Sequence, residues 1–550
     1  MMQRLPRQAP VILLGAAMAV SAALIIGFSW HTTFFGDTWE LLIERRDPSL
    51  DTLLKPHNEH LIVFPVLISE LLIRIFGMSD DHAELLLLVA MLCGAAGLIY
   101  AYVERRVGSW PALFAAALIL FLGPAYEVLL WPFEITFVGP MIFGIAALLA
   151  LEGGTRRGDI VACVCLTLGL GFSDLGVPFL AAGLVAVLVG PRERWLTRSY
   201  VWAVPAFLFA VWYVGWGHEA ETHIGIHNIL IAPSYVAGAI STAVGALSGL
   251  GTEESLAIDP IWSRVLTVAL VGVVALWWSR HRPRIDRVLW PVLAVALANW
   301  VLTALNTFGG REPTASRYQY GGAIFVLLIL SCIFSGVRPS RNWLIALAVG
   351  AVLAIGPNIV VLHEASKLYK RETAISRADT AALEIASRTV EPEFQLNPEI
   401  SGTPVLVNVL AGPYLEAVAE HGSPAYSIAE LETAPPEGRN QADIVLAHAL
   451  PLSTATTLGE YDSAGGENCV AAGATGREEV RIDPGKTRIE VAPGTEATLS
   501  MRRFASPGEF PVALESAPGG STTVLTVPRD NATNPWYLHV DADQTVRVCR

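Results

Sequence analysis

The sequence predicts an α-helical polytopic membrane domain followed by a C-terminal domain of α/β and β-sandwich structure. Of the 550 residues, 53% are hydrophobic and only 16% are charged, and the mean hydropathy is +0.48. Soluble domains of this length do not carry so much apolar content. The formal charge of −13 arises mostly from the last third of the chain, which indicates a soluble acidic domain there. An acidic domain does not favour a nucleic-acid partner.

About eleven apolar stretches are long enough to predict membrane-spanning helices. The first, Val11 to Phe28, follows a short basic segment and lacks a small-residue cleavage site, so we expect a retained span with a cytoplasmic N-terminus. The stretch 159–190 counts as two short helices, broken at Phe172-Ser173-Asp174. The other stretches lie at 83–103, 110–126, 136–151, 199–216, 262–278, 288–305, 319–336 and 342–362.

Basic clusters predict the orientation of these spans. Five clusters fall on one side under this assignment, and that side is expected to be the cytoplasm: Arg105 and Arg106, Arg156 and Arg157, Arg192 to Arg198, Arg280 to Arg287, and Arg338 to Arg341. Counting the apolar stretch Leu61 to Phe76 as a span would invert every later loop. We therefore expect a helix along the membrane surface there, and the same at 233–249.

Three regions follow from this reading. Residues 1–362 form the membrane domain, 363–400 a connecting helix and linker, and 401–550 an extracytoplasmic domain rich in β-strands. We expect a helix over 364–388, then a small α/β piece with a strand at 405–409 and a helix from Tyr414 to His421. Alternating runs after Thr457, such as 488–491 and 522–527, predict the β-sandwich.

Cys469 and Cys549 bracket a polar part of this C-terminal region. Outside the cytoplasm, such a pair is expected to form a disulfide. It would close a loop of roughly 80 residues and contribute about 4 kcal/mol.

An acidic run follows the first span. In Gly36-Asp37-Thr38-Trp39-Glu40, Asp37 is expected at the outer membrane boundary, near the head group of a lipid substrate. A carboxylate at that place can take a proton from an attacking hydroxyl. The spacing of Asp37 and Glu40 is equally typical of a helix cap, and the two roles are compatible. Trp39 and Glu40 are candidate substrate-binding residues.

The densest cluster of titratable groups in the membrane domain is the run Lys55-Pro56-His57-Asn58-Glu59-His60. His57 and Glu59 are candidate catalytic residues, and His60 is a candidate substrate-binding residue. The cluster could hold a divalent ion, orient a sugar or bind a phosphate. As a metal site the pattern lacks a complete ligand set. A structural alternative is a polar cap on the helix that begins at Leu61.

Two arginines lie between late spans, in Gly310-Arg311-Glu312-Pro313-Thr314-Ala315-Ser316-Arg317-Tyr318-Gln319-Tyr320. Arginine suits phosphate oxygens because its guanidinium keeps its charge and presents a fork of donors. Arg311 alone is equally compatible with an arginine that reaches the membrane interface. Arg317 is the stronger phosphate candidate, because Ser316, Tyr318 and Tyr320 offer hydroxyl donors around it.

Glu134 and Asp174 fall at outer ends of spans, where a carboxylate is costly unless it has a function. Asp174 is alternatively a cap of the following helix. Both are secondary candidates for substrate binding. The sequence contains no phosphate-binding loop, dinucleotide fingerprint or serine-nucleophile elbow.

Together these residues resemble the GT-C class of polytopic glycosyltransferases, whose relatives include protein O-mannosyltransferases and aminoarabinose transferases of lipid A. Asp37 resembles the acidic residue of the first outer loop, and Lys55 to His60 resemble the start of the second juxtamembrane helix. Arg317 and Tyr318 look like the late arginine and tyrosine that engage the lipid phosphate. The paired acids and the His-Pro-Pro run of mannosyltransferases are absent here.

The resemblance implies an enzyme of the cell membrane that moves a sugar from a polyprenyl phosphate to a glycan, lipid or protein acceptor on the outer face. Asp37 would be the base, and Arg317, with Arg311 or His57, would stabilise the departing phosphate. Two alternatives stay open. One is a transporter or flippase of a lipid-linked or anionic substrate, and the other is a non-catalytic envelope protein.

Overall fold

A computed structural model describes residues 8–46, 49–220, 223–282, 285–402, 406, 409–459, 468–474 and 476–550. The chain divides into two compact units. The first comprises Met1–His31, Asp47–Leu72 and His82–Leu368, and the second comprises Thr32–Arg46, Ile73–Asp81 and Tyr369–Arg550. Two short early stretches thus belong with the C-terminal third. Composition predicts a single boundary at residue 362, between a membrane domain and the rest of the chain. The two compact units instead each combine segments from different parts of the chain.

The first unit is helical in the part that the structure describes. Its α-helices are Ala9–Ser29, Leu50–Leu54, Val63–Phe76, His82–Val107, Ser109–Leu120, Tyr126–Leu130, Ile135–Leu151, Arg156–Phe172, Val177–Leu188, Trp195–Arg198, Tyr200–Gly215, Ile226–Leu247, Pro260–His281, Leu289–Leu305, Ser316–Ile333 and Arg341–Ile385. Val63–Phe76 and Arg341–Ile385 continue into the second unit. Single turns of 3-10 helix lie at Gly123–Ala125, Pro132–Glu134, Asp174–Gly176, Arg192–Arg194 and Gly217–Glu219.

Seven helices of the described chain are long and apolar enough to cross a membrane, which fits a membrane protein. They are Ala9–Ser29, His82–Val107, Pro132–Leu151, Ile226–Leu247, Pro260–His281, Ser316–Ile333 and Arg341–Ile385. A bent pair, Ser109–Leu120 and Gly123–Leu130, meets the same criteria as one broken span, with a bend of 49°.

Four of the eleven predicted spans form shorter helices. Arg156–Phe172 and Leu289–Leu305 have 17 residues each, Tyr200–Gly215 has 16, and Val177–Leu188 has 12. A helix of 17 residues is about 25 Å long, and the hydrocarbon core of a bilayer is about 30 Å thick. The number of described helices that are long enough to span a bilayer, seven, is therefore lower than the eleven spans predicted.

Both halves of the helix Ile226–Leu247 are hydrogen-bonded to the connection that follows the helix Leu289–Leu305. Near its start, the Asn228 side-chain amide donates to the carbonyl of Thr307 at 3.1 Å. Further along, the Thr242 hydroxyl donates to the carbonyl of Pro313 at 2.9 Å. The length and composition of the helix permit a span, so the surface position expected for 233–249 stays a prediction.

The predicted span 342–362 and the predicted helix 364–388 are one helix, Arg341–Ile385, with Pro357 inside it. Nothing in Leu362-His363-Glu364 breaks a helix, since the run contains neither glycine nor proline. The predicted span and the predicted helix therefore join without a break. A change of composition marks a change of environment without ending the helix.

The second unit combines short helices with strands. Its helices are Thr38–Ile43, Pro398–Ser401, Ala411–His421, Ile428–Thr433 and Pro436–Ala449. Its described strands are β1 (Gln395–Leu396), β2 (Val409–Leu410), β3 (Ser453–Leu458), β4 (Cys469–Gly473), β5 (Glu479–Ile482), β6 (Gly485–Val491), β7 (Ala497–Arg502), β8 (Val512–Ala513), β9 (Ser521–Val527), β10 (Trp536–Ala542) and β11 (Thr545–Cys549). Most of the strand expected at 405–409 lies outside the described residues.

The described strands β3 to β11 form two antiparallel sheets. One has the order β5-β10-β7-β8, and the other has the order β3-β9-β6-β11-β4. Residues of both sheets pack into a common core, which includes Leu499, Leu525, Trp536 and Val546. The C-terminal region is therefore rich in β-structure, as the sequence predicts. Trp536 is 1% exposed and belongs to this core.

Cys469 and Cys549 form a disulfide that closes a loop over a sequence separation of 80 residues. The two cysteines are directly opposite each other in the pairing of β4 with β11. The bond therefore joins an edge strand of the five-stranded sheet to the strand beside it.

Candidate functional site

The run His57-Asn58-Glu59-His60 forms a tight turn in the first unit. The backbones of His57 and His60 exchange two hydrogen bonds, at 3.0 and 2.8 Å. Asn58 has φ of 50°, a left-handed conformation that asparagine tolerates better than most residues. The helix begins only at Val63. The run is thus a turn with its own backbone pairing, and it fixes the positions from which Glu59 and His60 extend.

Glu59 is held from two directions by the connection 306–315, which we call the anchored loop. Both terminal nitrogens of Arg311 donate to its carboxylate, Nη2 to Oε2 at 2.9 Å. The Asn306 side-chain amide donates to Oε1 at 3.0 Å. Burial raises the pKa of Glu59, but the Arg311 hydrogen bond and the charges of His60 and Arg311 outweigh burial, so the pKa is lowered. Glu59 is therefore ionised and weakly basic.

His60 pairs with Asp174. The imidazole Nδ1 is hydrogen-bonded to Asp174 Oδ1, and the Ser173 hydroxyl donates to the same oxygen at 3.3 Å. The other ring nitrogen, Nε2, lies 3.6 Å from Glu59 Oε1. Burial lowers the pKa of His60, but the charge and hydrogen bond of Asp174 outweigh it, with a further contribution from Glu59, so the pKa is raised.

Asp174, His60, Glu59 and Arg311 thus form a continuous series of contacts, which we call the ion-pair chain. Four residues that the sequence singled out separately are brought together by it. Asp174 begins a 3-10 turn after the helix Arg156–Phe172, and its side chain binds His60. It is Ser173 whose hydroxyl accepts the N–H of Leu175, so the cap role considered for Asp174 belongs to its neighbour.

The anchored loop is bound by side chains that the sequence did not indicate. The Asn228 side-chain amide donates to the Thr307 carbonyl at 3.1 Å, and the Tyr235 hydroxyl donates to the Arg311 carbonyl at 2.9 Å. The Gln319 amide donates to the Pro313 carbonyl at 2.7 Å, and Thr242 binds the same carbonyl. Each is a polar residue on an otherwise apolar helix, which is the only signal of their role in the sequence.

Arg317 lies in the first turn of the helix Ser316–Ile333. It is expected in the loop before that helix, but the helix begins one residue earlier, at Ser316. Its Nη2 donates to the Gly310 carbonyl at 3.0 Å, and its Nε is 4.0 Å from Glu127 Oε2. The guanidinium also lies over the ring of Tyr318. Glu127, which the sequence did not indicate, is thus a carboxylate within ion-pair distance of Arg317.

The hydroxyl groups expected around Arg317 are arranged differently. Tyr320 is fully buried in the bundle, with 1% of its side chain exposed. The Ser316 hydroxyl accepts the N–H of Glu127 at 3.1 Å. A helix turns by about 100° per residue, so Tyr318 and Tyr320 cannot share a face.

His57 and Glu134 lie in neighbouring segments of the first unit. His57 is 3% exposed, and its ring centroid lies 5.3 Å from that of Phe133. Glu134 follows Phe133 and is 1% exposed, at the end of a 3-10 turn. Both candidates are therefore buried: His57 lies within the turn that carries Glu59, and Glu134 follows a residue that contacts His57.

Asp37, Trp39 and Glu40 belong to the second unit. Asp37 precedes the helix Thr38–Ile43 without a capping hydrogen bond from its side chain, because its own backbone is already helical, with φ of −61° and ψ of −16°. The cap expected there is absent. Trp39 is 1% exposed and packs against other rings of its unit, and Glu40 accepts two hydrogen bonds from Arg45.

Among the residues that the structure describes, no group of three or more histidines, cysteines or acids is arranged to hold a metal ion. The divalent ion considered for His57, Glu59 and His60 has no support in this geometry. Glu59 is bound by Arg311, and His60 by Asp174.

The first unit therefore presents two arginines of different character. Arg311 is neutralised by a carboxylate that it binds through two nitrogens, whereas Arg317 contacts a carbonyl and has its carboxylate at a longer distance. Such a site suits the binding of an anion at Arg317. No protein-family model matches the chain, and no curated protein matches it significantly.

Proposed function

We propose that the protein is a glycosyltransferase of the GT-C type, which moves a sugar from a polyprenyl phosphate to an acceptor in the cell envelope. The observation that supports this proposal best is the convergence of the anchored loop, the turn at residues 57–60 and Asp174 at one end of the helical unit. An arginine lies directly after that loop.

The membrane arrangement belongs to the same proposal. Eleven crossing segments are obtained when the four short helices and the bent pair are counted as spans and Ile226–Leu247 lies on the surface. With the basic clusters in the cytoplasm, the end that carries the ion-pair chain faces outward, and so does the β-rich region. A donor lipid of the outer leaflet would then reach Arg317 from the side.

Arg317 is the residue that we assign to the donor phosphate. It lies at the N-terminus of an 18-residue helix, where the helix dipole also favours an anion. Arg311 is a weaker candidate, because its charge is compensated by Glu59. The sequence already favours Arg317 over Arg311, and the ion pair of Arg311 with Glu59 supports the same preference.

In the proposed reaction, the oxygen of an acceptor hydroxyl attacks the anomeric carbon and its proton passes to a carboxylate base, the role that the resemblance assigns to Asp37. The bond from that carbon to the phosphate oxygen breaks, and the polyprenyl phosphate leaves with the electron pair. Arg317 stabilises the charge on the departing phosphate. The reaction needs no nucleotide and no redox partner.

The test is transfer of radiolabelled sugar from a panel of polyprenyl-phosphate sugars in vesicles that contain the purified protein. Asp37→Asn and Arg317→Ala should abolish transfer while both variants insert and elute as the wild type does. Arg264→Ala, on an exposed position of the helix Pro260–His281, is the matched control and should keep full activity. Unchanged rates in both site variants would reject the proposed roles.

A transporter or flippase is the second candidate, and the bent pair Ser109–Leu120 and Gly123–Leu130 favours it, because broken helices are typical of transport proteins. The same vesicles distinguish the two. A flippase moves a fluorescent polyprenyl-phosphate lipid between leaflets without forming a glycosylated product, whereas a transferase forms product and leaves the lipid distribution unchanged.

A further inference from the structure

We propose that Glu59 is a positioning residue: it holds the anchored loop so that the loop carbonyl of Gly310 orients Arg317. This inference rests on the proposed function for its meaning in the reaction, and it replaces a direct role for Glu59 in proton transfer.

The first support is the way in which one carboxylate binds both flanks of the loop. Glu59 Oε1 accepts from Asn306 near the start of the loop and from Arg311 in its second half, and Oε2 accepts from Arg311 again. Gly310, whose carbonyl accepts from Arg317, lies between these two attachment points. A displacement of Glu59 is therefore passed to the carbonyl that Arg317 contacts.

The second support is the backbone of the loop. Gly310 has φ of 84°, in the left-handed region that glycine enters without strain. The Arg311 N–H donates to the Phe308 carbonyl at 2.9 Å, which closes a turn around Gly310. The carbonyl of Gly310 is thus presented by a tight turn directly before the arginine that Glu59 binds.

The third support is the rigidity of Glu59 itself. Its backbone lies inside the paired turn His57 to His60, and its carboxylate is 13% exposed. His60 approaches Oε1 of the same carboxylate, at 3.6 Å, and is held in turn by Asp174. A side chain that is fixed at both its backbone and its carboxylate can hold the groups that it contacts in place, as residues that support a binding group commonly do.

A role as general base does not fit these contacts. The carboxylate oxygens of Glu59 already accept three hydrogen bonds from the loop, two of them from a guanidinium. Ion pairing of this kind favours the ionised form and weakens a base. The residue that the sequence presented as a catalytic candidate is better explained as a support for Arg317.

Two measurements test the inference, and only one of them depends on transfer. In the first, hydrogen exchange of residues 306–315 is followed in the wild-type protein and in Glu59→Gln, Arg311→Gln and the double variant, all in detergent. Each single variant should speed exchange in the loop at least tenfold, and the double variant should be no faster than the faster single variant. Unchanged exchange in both single variants would overturn the inference.

In the second, kcat and KM for transfer are measured in a double-mutant cycle. Glu59→Gln should lower kcat by roughly tenfold to a hundredfold with less than about threefold change in donor KM, which corresponds to about 1.4–2.7 kcal/mol. The double variant should lose no more than the worse single variant, because both changes release the same loop.

If Glu59 were a general base, the results would differ. Glu59→Gln would abolish transfer, Arg311→Gln would keep most of it, and neither change would affect hydrogen exchange in the loop. That combination of results would reject the positioning role. Glu254→Gln, an exposed acid after the helix Ile226–Leu247, is the matched control for both measurements. If the wild-type protein transfers no sugar, the proposed function fails, and loop exchange still decides the inference.

Discussion

The carboxylate of Glu59 accepts hydrogen bonds from both terminal nitrogens of Arg311, although 252 positions separate the two residues in the chain. Their side chains are 13% and 15% exposed. In this surrounding an ion pair is screened less than on a surface. The pair connects the turn before the helix Val63–Phe76 with the loop before the helix Ser316–Ile333. Because Glu59 compensates the charge of Arg311, Arg317 is the better candidate for binding an anion.

The first prediction concerns Arg317. Arg317→Ala should lower kcat/KM for sugar transfer by about a hundredfold to a thousandfold, because one preorganised donor to developing charge is typically worth that much. Arg317→Lys keeps the charge but not the planar fork, so its rate should be intermediate. The measurement is initial rate against donor concentration in vesicles, and equal rates for alanine and lysine variants would contradict the phosphate contact.

The second prediction concerns pH and His60. The pKa of His60 is raised in the folded protein, so its contribution to stability is fully present below about pH 6.5, the unfolded value. That contribution is lost as the pH rises through the higher folded pKa. Asp174→Asn should remove this dependence and cost about 1–3 kcal/mol below pH 6.5. Thermal unfolding in detergent from pH 5 to 9 tests it, and parallel curves for both proteins would show that the pair does not titrate as described.

The third prediction concerns the helix Ile226–Leu247. If it lies across one end of the bundle, cysteines at Ile224 and Glu254, before and after it, should react from the same side of the membrane with an impermeant maleimide. Arg194→Cys, in the connection before the helix Tyr200–Gly215, should react only from the other side. Labelling of Ile224→Cys and Glu254→Cys from opposite sides would show that the helix is a span.

The fourth prediction concerns Asp443 in the second unit. Its carboxylate accepts backbone N–H groups of Arg503, Phe504 and Ala505. Asp443→Ala should cost roughly 3 kcal/mol or more, because three buried donors lose their acceptor. Asp443→Asn, which keeps one acceptor oxygen, should cost less. Equal unfolding temperatures for the wild type and the alanine variant would refute the role.

The same residue gives a pH dependence of opposite origin. Burial raises the pKa of Asp443 to about 6, although the three N–H groups oppose the increase. Because the folded state holds the proton more tightly, stability should fall as the pH rises from about 4 through 6. Asp443→Asn should lack that fall, and the comparison is made by thermal unfolding over this range.

The fifth prediction concerns the disulfide between Cys469 and Cys549. Replacing both cysteines by alanine should lower the free energy of unfolding of the second unit by about 4 kcal/mol, as expected for a closed loop of this size. Reductant should shift the wild-type protein towards the double variant and leave the double variant unchanged. A shift of both proteins would point to a cause other than this bond.

The sequence by itself determined the class of the protein. Apolar stretches of span length and a polar, turn-rich C-terminal region follow from composition and period, because burial in lipid and pairing in sheets impose local patterns. It also identified Glu59, His60, Asp174 and Arg311 as unusual, since charged groups are costly near lipid. The pairing of Cys469 with Cys549 was accessible because two cysteines stand in the polar region.

Only the tertiary structure decided which of these groups contact one another. The partner of Arg311 lies 252 positions away, and no periodicity connects them. Tyr235, Thr242 and Gln319 became part of the site through hydrogen bonds to carbonyls of the anchored loop, which any polar side chain can make. Asp37 and Trp39 belong to the unit of the C-terminal region, where Trp39 packs against the ring of Tyr414. The local sequence pattern determines where helices and strands form, whereas the packing of elements that are distant in the chain determines which residue pairs with each charged side chain.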